Sequence, residues 1–206
     1  MNIDIVFTNI TKTFHTNSLY NNLSGKITSG ACTCITGNNG SGKSTFLKII
    51  ASNVKPSSGT ISYLQMEKEL SIAEFRTHTA FVMPEMQLYD ALTAEENLKF
   101  FAGITGIDLS DSSIANLLET VQLSTSPNQQ IKNFSTGMKQ RLKLALLVAA
   151  DKSVWFLDEP SSNLDESGHQ LIQRLIQNAC KENRTVLLAT NDPSEVNYAD
   201  SVIYLT

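Results

Sequence analysis

Short apolar blocks near both ends of the chain predict β-strands, whereas the middle of the chain has a helical spacing. The strand-like blocks are residues 3–7, 31–36, 60–64, 154–157, 185–189 and 202–205. The helical spacing is clearest at Leu98, Phe101 and Ile104, which recur every three positions. Thr93 precedes this run, and Glu96 follows Thr93 by three residues, which is the pattern of a capping box at a helix start.

These elements fall into three regions and predict an α/β fold. Residues 4 to about 83 combine strands with a first helix, residues 85 to 149 are mostly helical, and both types alternate from residue 154. A length of 206 residues suits one domain with a sizeable core. We expect a single domain, 1–206, with a core lobe of approximately 1–84 and 150–206 and a helical lobe of approximately 85–149.

Composition narrows the classes of partner. The formal net charge is −4 and the sequence pI is about 5.4, so no basic surface is indicated and we expect no nucleic-acid partner. The longest apolar run, residues 144–150, is far shorter than the roughly 20 residues that span a bilayer. The first residues lack the basic and apolar regions of a signal peptide, and we expect no accessory domain after residues 202–205.

Three cysteines, Cys32, Cys34 and Cys180, occupy positions that are predicted to face a core. Metal ligation would need more Cys or His residues at coordinated spacing. We therefore expect buried thiols that act as small apolar groups in a reducing compartment.

A glycine-rich segment between the second predicted strand and the first predicted helix fits the phosphate-binding pattern G-x-x-x-x-G-K-[ST]. It comprises Gly37, Asn38, Asn39, Gly40, Ser41, Gly42, Lys43, Ser44 and Thr45. Glycines let backbone N–H groups surround an anion, and the following helix points its positive end at that anion. We expect Lys43 to reach the outer phosphates and Ser44 to bind Mg²⁺; the alternative is a chance Gly- and Ser-rich turn.

The apolar block 154–157 ends in two carboxylates, Asp158 and Glu159. Beside a phosphate loop, Asp158 is placed to hold Mg²⁺ directly or through water, and Glu159 is placed to polarise the attacking water. The alternative is a structural strand edge.

A second helix start lies between these two motifs. Ser135 has the position of an N-cap. An apolar stripe follows at Leu142, Leu144, Ala145 and Val148. Ser135, Thr136 and Gly137 resemble the signature motif of ABC ATPases, usually Leu-Ser-Gly-Gly-Gln. The order of motifs is also similar to that family, since Asp158-Glu159 is followed by residues 162–165, which look like the D-loop and end in Asp165. The resemblance implies that Asp165 contributes to nucleotide binding.

The resemblance covers nearly all of the chain and implies a fold. It implies a RecA-like P-loop NTPase core with an N-terminal antiparallel β subdomain and a helical signature subdomain. The cofactors it implies are ATP and Mg²⁺. Phe14 aligns with the aromatic residue that stacks on adenine in the family, where Tyr is more usual. The alternative for Phe14 is a core residue of the first hairpin.

The resemblance also implies partners. In the family, two ATPase domains pack head to tail, and Ser135 and Gly137 of one domain would contact the γ-phosphate held by the other. The second domain can be an identical or a different chain. A separate transmembrane permease subunit is implied as well, with the ATPase in the cytoplasm on the inner face of the cell membrane. A short helix of the permease would dock beside Met83, Met86, Leu88, Tyr89 and Phe100, which could otherwise close the lobe's own core.

Two positions depart from the family pattern. Glu85 or Pro84 stands where the family has a Gln, and Glu85 is preferred because only its side chain can ligate Mg²⁺. Asn191 follows Thr190 where the family has the switch His, and Asn cannot become cationic. Both changes are expected to weaken catalysis more than binding.

The sequence thus predicts the ATP-binding and ATP-hydrolysing subunit of an ABC transporter. It is similar to small exporter-type subunits, including the haem-exporter ATPase of cytochrome c maturation. The alternative is a soluble nucleotide-gated assembly or binding protein of the same family with weak turnover.

Overall fold

The computed structural model describes residues 2–14, 17–124 and 129–205. These residues form two β-sheets and seven α-helices, so the predicted α/β class is confirmed. None of the helices in the described part is long and apolar enough to cross a membrane.

The first sheet is antiparallel and has the strand order β2-β1-β4-β5. Its strands are β1 (Ile3–Phe14), β2 (Asn17–Ile27), β4 (Ser58–Gln65) and β5 (Lys68–Leu70). Strand β1 extends well past the predicted residue 7, because it pairs with β2 on one side and β4 on the other. Two ladders satisfy its backbone groups even where the apolar alternation of the sequence fades.

The second sheet has the strand order β6-β7-β8-β3-β9. Its strands are β3 (Cys32–Gly37), β6 (Thr79–Val82), β7 (Val154–Asp158), β8 (Thr185–Ala189) and β9 (Ser201–Leu205). Strand β8 pairs in parallel with both β7 and β3, so residues 185–189 lie beside the Asp158 strand. Because carboxyl ends of parallel strands share one edge of a sheet, the last residues of β3 and β7 lie at that edge, on either side of β8.

The helices are mostly where the apolar spacing predicted them. They are α1 (Lys43–Ile50), α2 (Ile72–Thr77), α3 (Ala94–Ile104), α4 (Asp111–Thr120), α5 (Thr136–Ala149), α6 (Glu166–Lys181) and α7 (Pro193–Val196), with a short 3-10 helix at Ile131–Asn133. The capping box of α3 is confirmed: the Thr93 hydroxyl accepts from the Glu96 N–H, and the Glu96 carboxylate accepts from the Thr93 N–H.

Two expectations about helix faces were wrong. Ile104 was placed in an apolar stripe, but its side chain is 67% exposed at the last residue of α3. In α5 the predicted stripe was too narrow, since Leu146 and Leu147 are buried along with Leu142, Leu144 and Ala145. Helix α5 is covered on most sides, and such a helix has no single apolar face for a periodicity argument to find.

The chain divides into two compact units. The first comprises residues 1–81, 152–159 and 173–206, and the second comprises residues 82–151 and 160–172. The expected core lobe ran through residues 150–206 without interruption, whereas residues 160–172 cluster with the second unit.

The core of the first unit fixes α1 against the first sheet. The Phe46 ring on α1 makes edge-on contacts with Phe7 on β1 and Tyr20 on β2, with ring centroids 5.4 and 5.6 Å apart. Burial of one such ring contributes about 1.5–3 kcal/mol. Cys32 and Cys34 are fully buried as expected, while Cys180 is only partly buried. Burial raises the pKa of the Cys34 thiol to about 12, which makes it a poor nucleophile.

Candidate nucleotide-binding site

The predicted phosphate loop joins β3 to α1 in a tight turn. Strand β3 ends at Gly37 and helix α1 begins at Lys43. Gly42 caps the helix with a φ of +91°, in the left-handed region, and a Cβ there would lie 2.9 Å from Leu19. A Cβ on Gly37 would collide with the backbone oxygen of Leu205. The glycines are therefore required by the path of this backbone.

The side chain of Lys43 lies inside this turn. It is buried, and its Nζ donates to the carbonyl oxygens of Gly37 at 3.0 Å and Asn38 at 3.3 Å. These two bonds hold the ammonium inside the curve of the loop, where an anion bound to the loop would meet it.

Ser44 and Asp158 meet at the edge shared by β3 and β7. The Ser44 hydroxyl donates a hydrogen bond of 3.0 Å to Oδ1 of Asp158, which is buried. Two oxygen ligands of this kind suit Mg²⁺, which usually takes one or two protein oxygens together with phosphate and water. No group of three or more His, Cys, Asp or Glu in the described part could hold a metal ion by itself.

Glu159 follows Asp158 in an unusual backbone conformation. Its φ is +46°, and its N–H donates to the Ala189 carbonyl at 2.8 Å, so the chain turns sharply at the end of β7. Burial raises the pKa of the Glu159 carboxyl; Lys43 and the Asn191 backbone N–H act against that rise, while Asp158 and Glu195 add to it. A carboxylate with a raised pKa is a stronger proton acceptor once it is ionised.

These residues surround one cavity of about 460 Å³. It is lined by Phe14, Leu19, Asn39, Gly40, Gly42, Lys43, Ser44, Thr45 and Glu159. Phe14 is 48% exposed, so the alternative of a core residue of the first hairpin is wrong. The structure thus brings together the phosphate loop, Glu159 and the predicted base-stacking ring, which lie far apart in the sequence.

The loop has features that suit a nucleotide. The Ser41 hydroxyl is buried and lacks a hydrogen-bond partner among the described residues. Gly40 faces open space, since a Cβ there would meet nothing within 4 Å. A buried hydroxyl without a partner is costly, and a phosphate oxygen would satisfy it.

Asn191 lies near the same loop. Its side-chain amide donates a hydrogen bond of 3.0 Å to the side-chain oxygen of Asn39. Its backbone N–H also lowers the pKa of the Glu159 carboxyl, against the larger effect of burial. The residue at the predicted switch position therefore contacts the phosphate loop.

The predicted signature residues lie in the second unit. The Ser135 hydroxyl accepts from the Met138 N–H at 3.2 Å, which confirms Ser135 as the N-cap of α5. Ser135 and Thr136 are exposed, and a Cβ on Gly137 would lie 3.1 Å from the Asn163 carbonyl oxygen. The exposed N-terminus of α5 thus presents N–H groups to solvent.

Asp165 has a local structural role. Its Oδ1 accepts from the Gly168 N–H, the Ser167 hydroxyl and Nη2 of Arg141, at 3.0, 2.9 and 3.0 Å. These bonds, led by that from Ser167, lower the pKa of the Asp165 carboxyl. The predicted contact of Asp165 with nucleotide stays a prediction.

Comparison with known proteins identifies the family of this chain. The sequence profile described as ABC transporter matches residues 20–162, more than half of the chain. The chain belongs to the ABC transporter ATP-binding family. It is an ATPase of this family, and the resemblance drawn from its motifs is confirmed.

Three curated relatives are similar to this chain over most of its length. The lantibiotic transport ATP-binding protein SrtF of Streptococcus pyogenes is 32% identical, over 92% of this chain and 81% of SrtF. The cytochrome c biogenesis ATP-binding export protein CcmA of Sodalis glossinidius is 31% identical, over 85% of this chain and 82% of CcmA. The ABC transporter ced-7 of Caenorhabditis elegans is 31% identical over 98% of this chain, which spans only 12% of ced-7.

Solved structures support the fold. The ATP-binding cassette MJ0796, described as a dimer in a post-hydrolysis state with ADP and Pi, aligns with a TM-score of 0.83 at 24% identity. The alignment covers 98% of this chain and 94% of MJ0796. The RecA-like core with its antiparallel and helical parts is therefore the ABC fold.

Sequence reasoning missed several polar residues that shape the second unit. Arg141 on α5 donates to the Gln122 side chain at 2.6 Å as well as to Asp165. Lys143, two residues further along, donates to the carbonyls of Met83 and Pro84 at 3.3 and 3.2 Å. Both side chains are buried, although a charged residue in a helix usually faces solvent.

The segment that follows β6 differs in part from expectation. Glu85 is exposed, and its negative charge partly offsets the lowering of the Lys143 pKa by burial. The predicted contact of Glu85 with Mg²⁺ stays a prediction. Met83 was placed at the rim of a docking surface, but its side chain is buried, which is a correction. Tyr89 and Phe100 are exposed as that docking surface requires.

Proposed function

We propose that this chain binds and hydrolyses Mg-ATP and powers a separate transmembrane permease. One observation carries the proposal: Lys43, Ser44 and Glu159 line one cavity that also has Phe14 on its wall. Ser44 is in turn hydrogen-bonded to Asp158. This set contains a phosphate cradle, oxygen ligands for a hard cation, a carboxylate base and a ring for stacking.

Each residue has a role in this proposal. Backbone N–H groups of residues 37–45 and the Lys43 ammonium hold the phosphates. Ser44 and Asp158 would hold Mg²⁺, which when bound neutralises phosphate charge. Glu159 accepts a hydrogen bond from the attacking water and aligns it, and Phe14 stacks on the base. Glu85 and Asn191 would complete the site as a ligand and a phosphate contact.

ATP-driven pairing of two such domains is the second part of the proposal. In a head-to-tail pair, the N-terminus of α5 with Ser135, Thr136 and Gly137 would meet the γ-phosphate held by the other domain. The exposed N-terminus of α5 and the dimeric state described for the MJ0796 cassette support it. Either a second copy or a different ATPase chain can supply the partner.

The third part is the membrane partner. SrtF and CcmA are named as transport and export proteins, and we propose that this chain likewise works on the inner face of a cell membrane. Affinity purification from membranes tests this. We expect a co-purifying protein with several apolar segments of about 20 residues. Purification of a soluble chain alone, with ATP hydrolysis unchanged by membranes, would favour the alternative below.

The alternative is a soluble nucleotide-gated assembly protein with weak turnover. The observation that favours it is Asn191, which cannot carry the positive charge of a switch His and whose side chain is bonded to Asn39.

Asn191→His is expected to raise ATP turnover about tenfold, below the 10²–10⁴ range of a fully positioned acid–base group. The reason is that imidazolium adds a cation where charge develops on phosphate. The affinity for ATP should stay within about twofold, because binding depends on the loop. Steady-state hydrolysis and calorimetry measure the two quantities.

Asn191→Ala is the control for Asn191→His, because it removes the bond to Asn39 without adding a cation. If the His variant is no faster than the wild type, the site is already tuned around Asn and the proposed deficit is wrong.

Replacing Tyr89 and Phe100 by Ser is expected to abolish permease binding. The two rings touch at 4.6 Å between centroids and are 49% and 41% exposed. They offer an apolar patch to a helix of the permease without forming the core of the unit. Co-purification with the permease measures the loss.

The melting temperature and the ATP affinity should change little in this double variant, because neither ring is buried. Ile104→Ser, at another exposed apolar position on α3, is the matched control. A collapse of the melting temperature would assign the two rings to the core and remove them from the docking surface.

A further inference from the structure

Lys12 lies against the aromatic ring that lines the cavity. Its ammonium nitrogen is 4.7 Å from the centroid of the Phe14 ring, inside the ~6 Å range of a cation–π interaction. The same nitrogen donates a hydrogen bond of 2.8 Å to the backbone carbonyl of Lys55. The ammonium is therefore held between the ring and a main-chain acceptor.

The main-chain acceptor is itself fixed to β1. The Ser57 N–H donates to the Thr11 carbonyl at 2.8 Å, and the Thr13 N–H donates to the Ser57 hydroxyl at 3.1 Å. These bonds hold the segment 55–57 beside the end of β1. The position of the Lys12 ammonium is therefore set by the Lys55 carbonyl on one side and by the Phe14 ring on the other.

Phe14 lines the cavity, whereas Lys12 does not. A cation over one face of a ring leaves the other face for a second partner. We propose that Lys12 is a positioning residue for the purine base of the nucleotide, an inference that rests on the proposed function. It holds the Phe14 ring from one side while the base stacks on the other.

Two physical effects connect Lys12 to base binding. A ring that is already restrained loses less conformational freedom when the base arrives. The ammonium also draws π-electron density toward itself, so the opposite face becomes less negative. That change reduces the repulsion between the ring and the electron-rich π-system of a purine.

The test is a double-mutant cycle on ATP binding, measured by calorimetry with Mg²⁺. Lys12→Met keeps the aliphatic stem and removes the charge, and it should weaken ATP binding about three- to tenfold. In a Phe14→Leu background the same change should have no further effect. Lys12→Arg keeps a cation over the ring and should retain ATP affinity within about twofold.

Lys55→Met is the matched control, since it removes the same charge from an exposed neighbour and leaves the carbonyl in place. Equal losses in Lys12→Met and Lys55→Met would overturn the proposal, because the charge would then act on phosphate at a distance. It is also overturned by no loss in Lys12→Met, or by an undiminished loss in the Phe14→Leu background. A wild-type protein that binds no ATP would instead overturn the proposed function.

Discussion

Lys43→Ala is expected to abolish tight ATP binding. The ammonium of Lys43 is buried in the phosphate loop and already bonded to the Gly37 and Asn38 carbonyls, so it is in place before phosphate arrives. A charge-assisted contact of this kind is worth about 1.5–3 kcal/mol, which corresponds to a loss of roughly ten- to 150-fold in affinity. Calorimetry with ATP and Mg²⁺ measures it.

Truncating Lys43 also leaves two loop carbonyls without their donor, so folding must be checked separately. Circular dichroism and the melting temperature serve that purpose. Lys48→Ala, near the other end of α1, is the matched control and should bind ATP like the wild type. If Lys43→Ala binds ATP as tightly as the wild type, the loop does not hold the phosphates. If the wild type binds no ATP, the proposed function is wrong.

Glu159→Gln is expected to lower ATP hydrolysis by about 10²–10⁴-fold while ATP stays bound. The amide keeps the size and hydrogen-bonding reach of the carboxylate, but it cannot accept a proton. Because ATP then persists, the head-to-tail pair should accumulate as an ATP-dependent dimer. A phosphate-release assay measures hydrolysis, and light scattering with and without ATP measures the mass.

Adding Ser135→Arg to Glu159→Gln should remove the dimer, because a bulky side chain would occupy the proposed γ-phosphate contact. Ser135 is also the N-cap of α5, so its replacement costs about 1 kcal/mol of helix stability in any case. Ser135→Ala loses the same cap without adding bulk and is therefore the control. If the measured mass is independent of ATP in every variant, with the permease present or absent, the proposal that two domains share one nucleotide site is wrong.

The structure adds a contact to the interpretation of Asn191 as a weakened switch residue. From the sequence, Asn191 is simply a switch residue without a charge. In the fold, its side chain is hydrogen-bonded to Asn39, so it can hold the phosphate loop in place even though it cannot be cationic. The Asn191→His experiment, with Asn191→Ala as its control, separates the missing charge from the contact with Asn39.

Much of the site was predictable because its motifs are contiguous. A phosphate loop is a run of nine residues whose glycines and helix start are all local requirements of the backbone. The N-caps at Thr93 and Ser135 are likewise local, since a side chain there bonds to an N–H three residues away. Such features need no knowledge of which strands are neighbours.

Other parts of the fold were not predictable from spacing. The length of β1 depends on pairing with β2 and β4, and the wide burial of α5 depends on what covers it. The buried charges Arg141 and Lys143 are tolerated because carbonyls and side chains from distant segments accept hydrogen bonds from them. No periodicity in α5 itself could reveal those acceptors.

The sequence by itself determined the family, the phosphate loop, the order of motifs and the two carboxylates after the Asp158 strand. Only the tertiary structure decided which residues meet: Ser44 bonds to Asp158 across 114 positions, and Asn191 bonds to Asn39 across 152. It also placed Lys12 over the Phe14 ring. The physical reason is that local motifs follow from backbone chemistry within a few residues. Contacts across the chain follow from strand order and from where each buried polar group finds its partner.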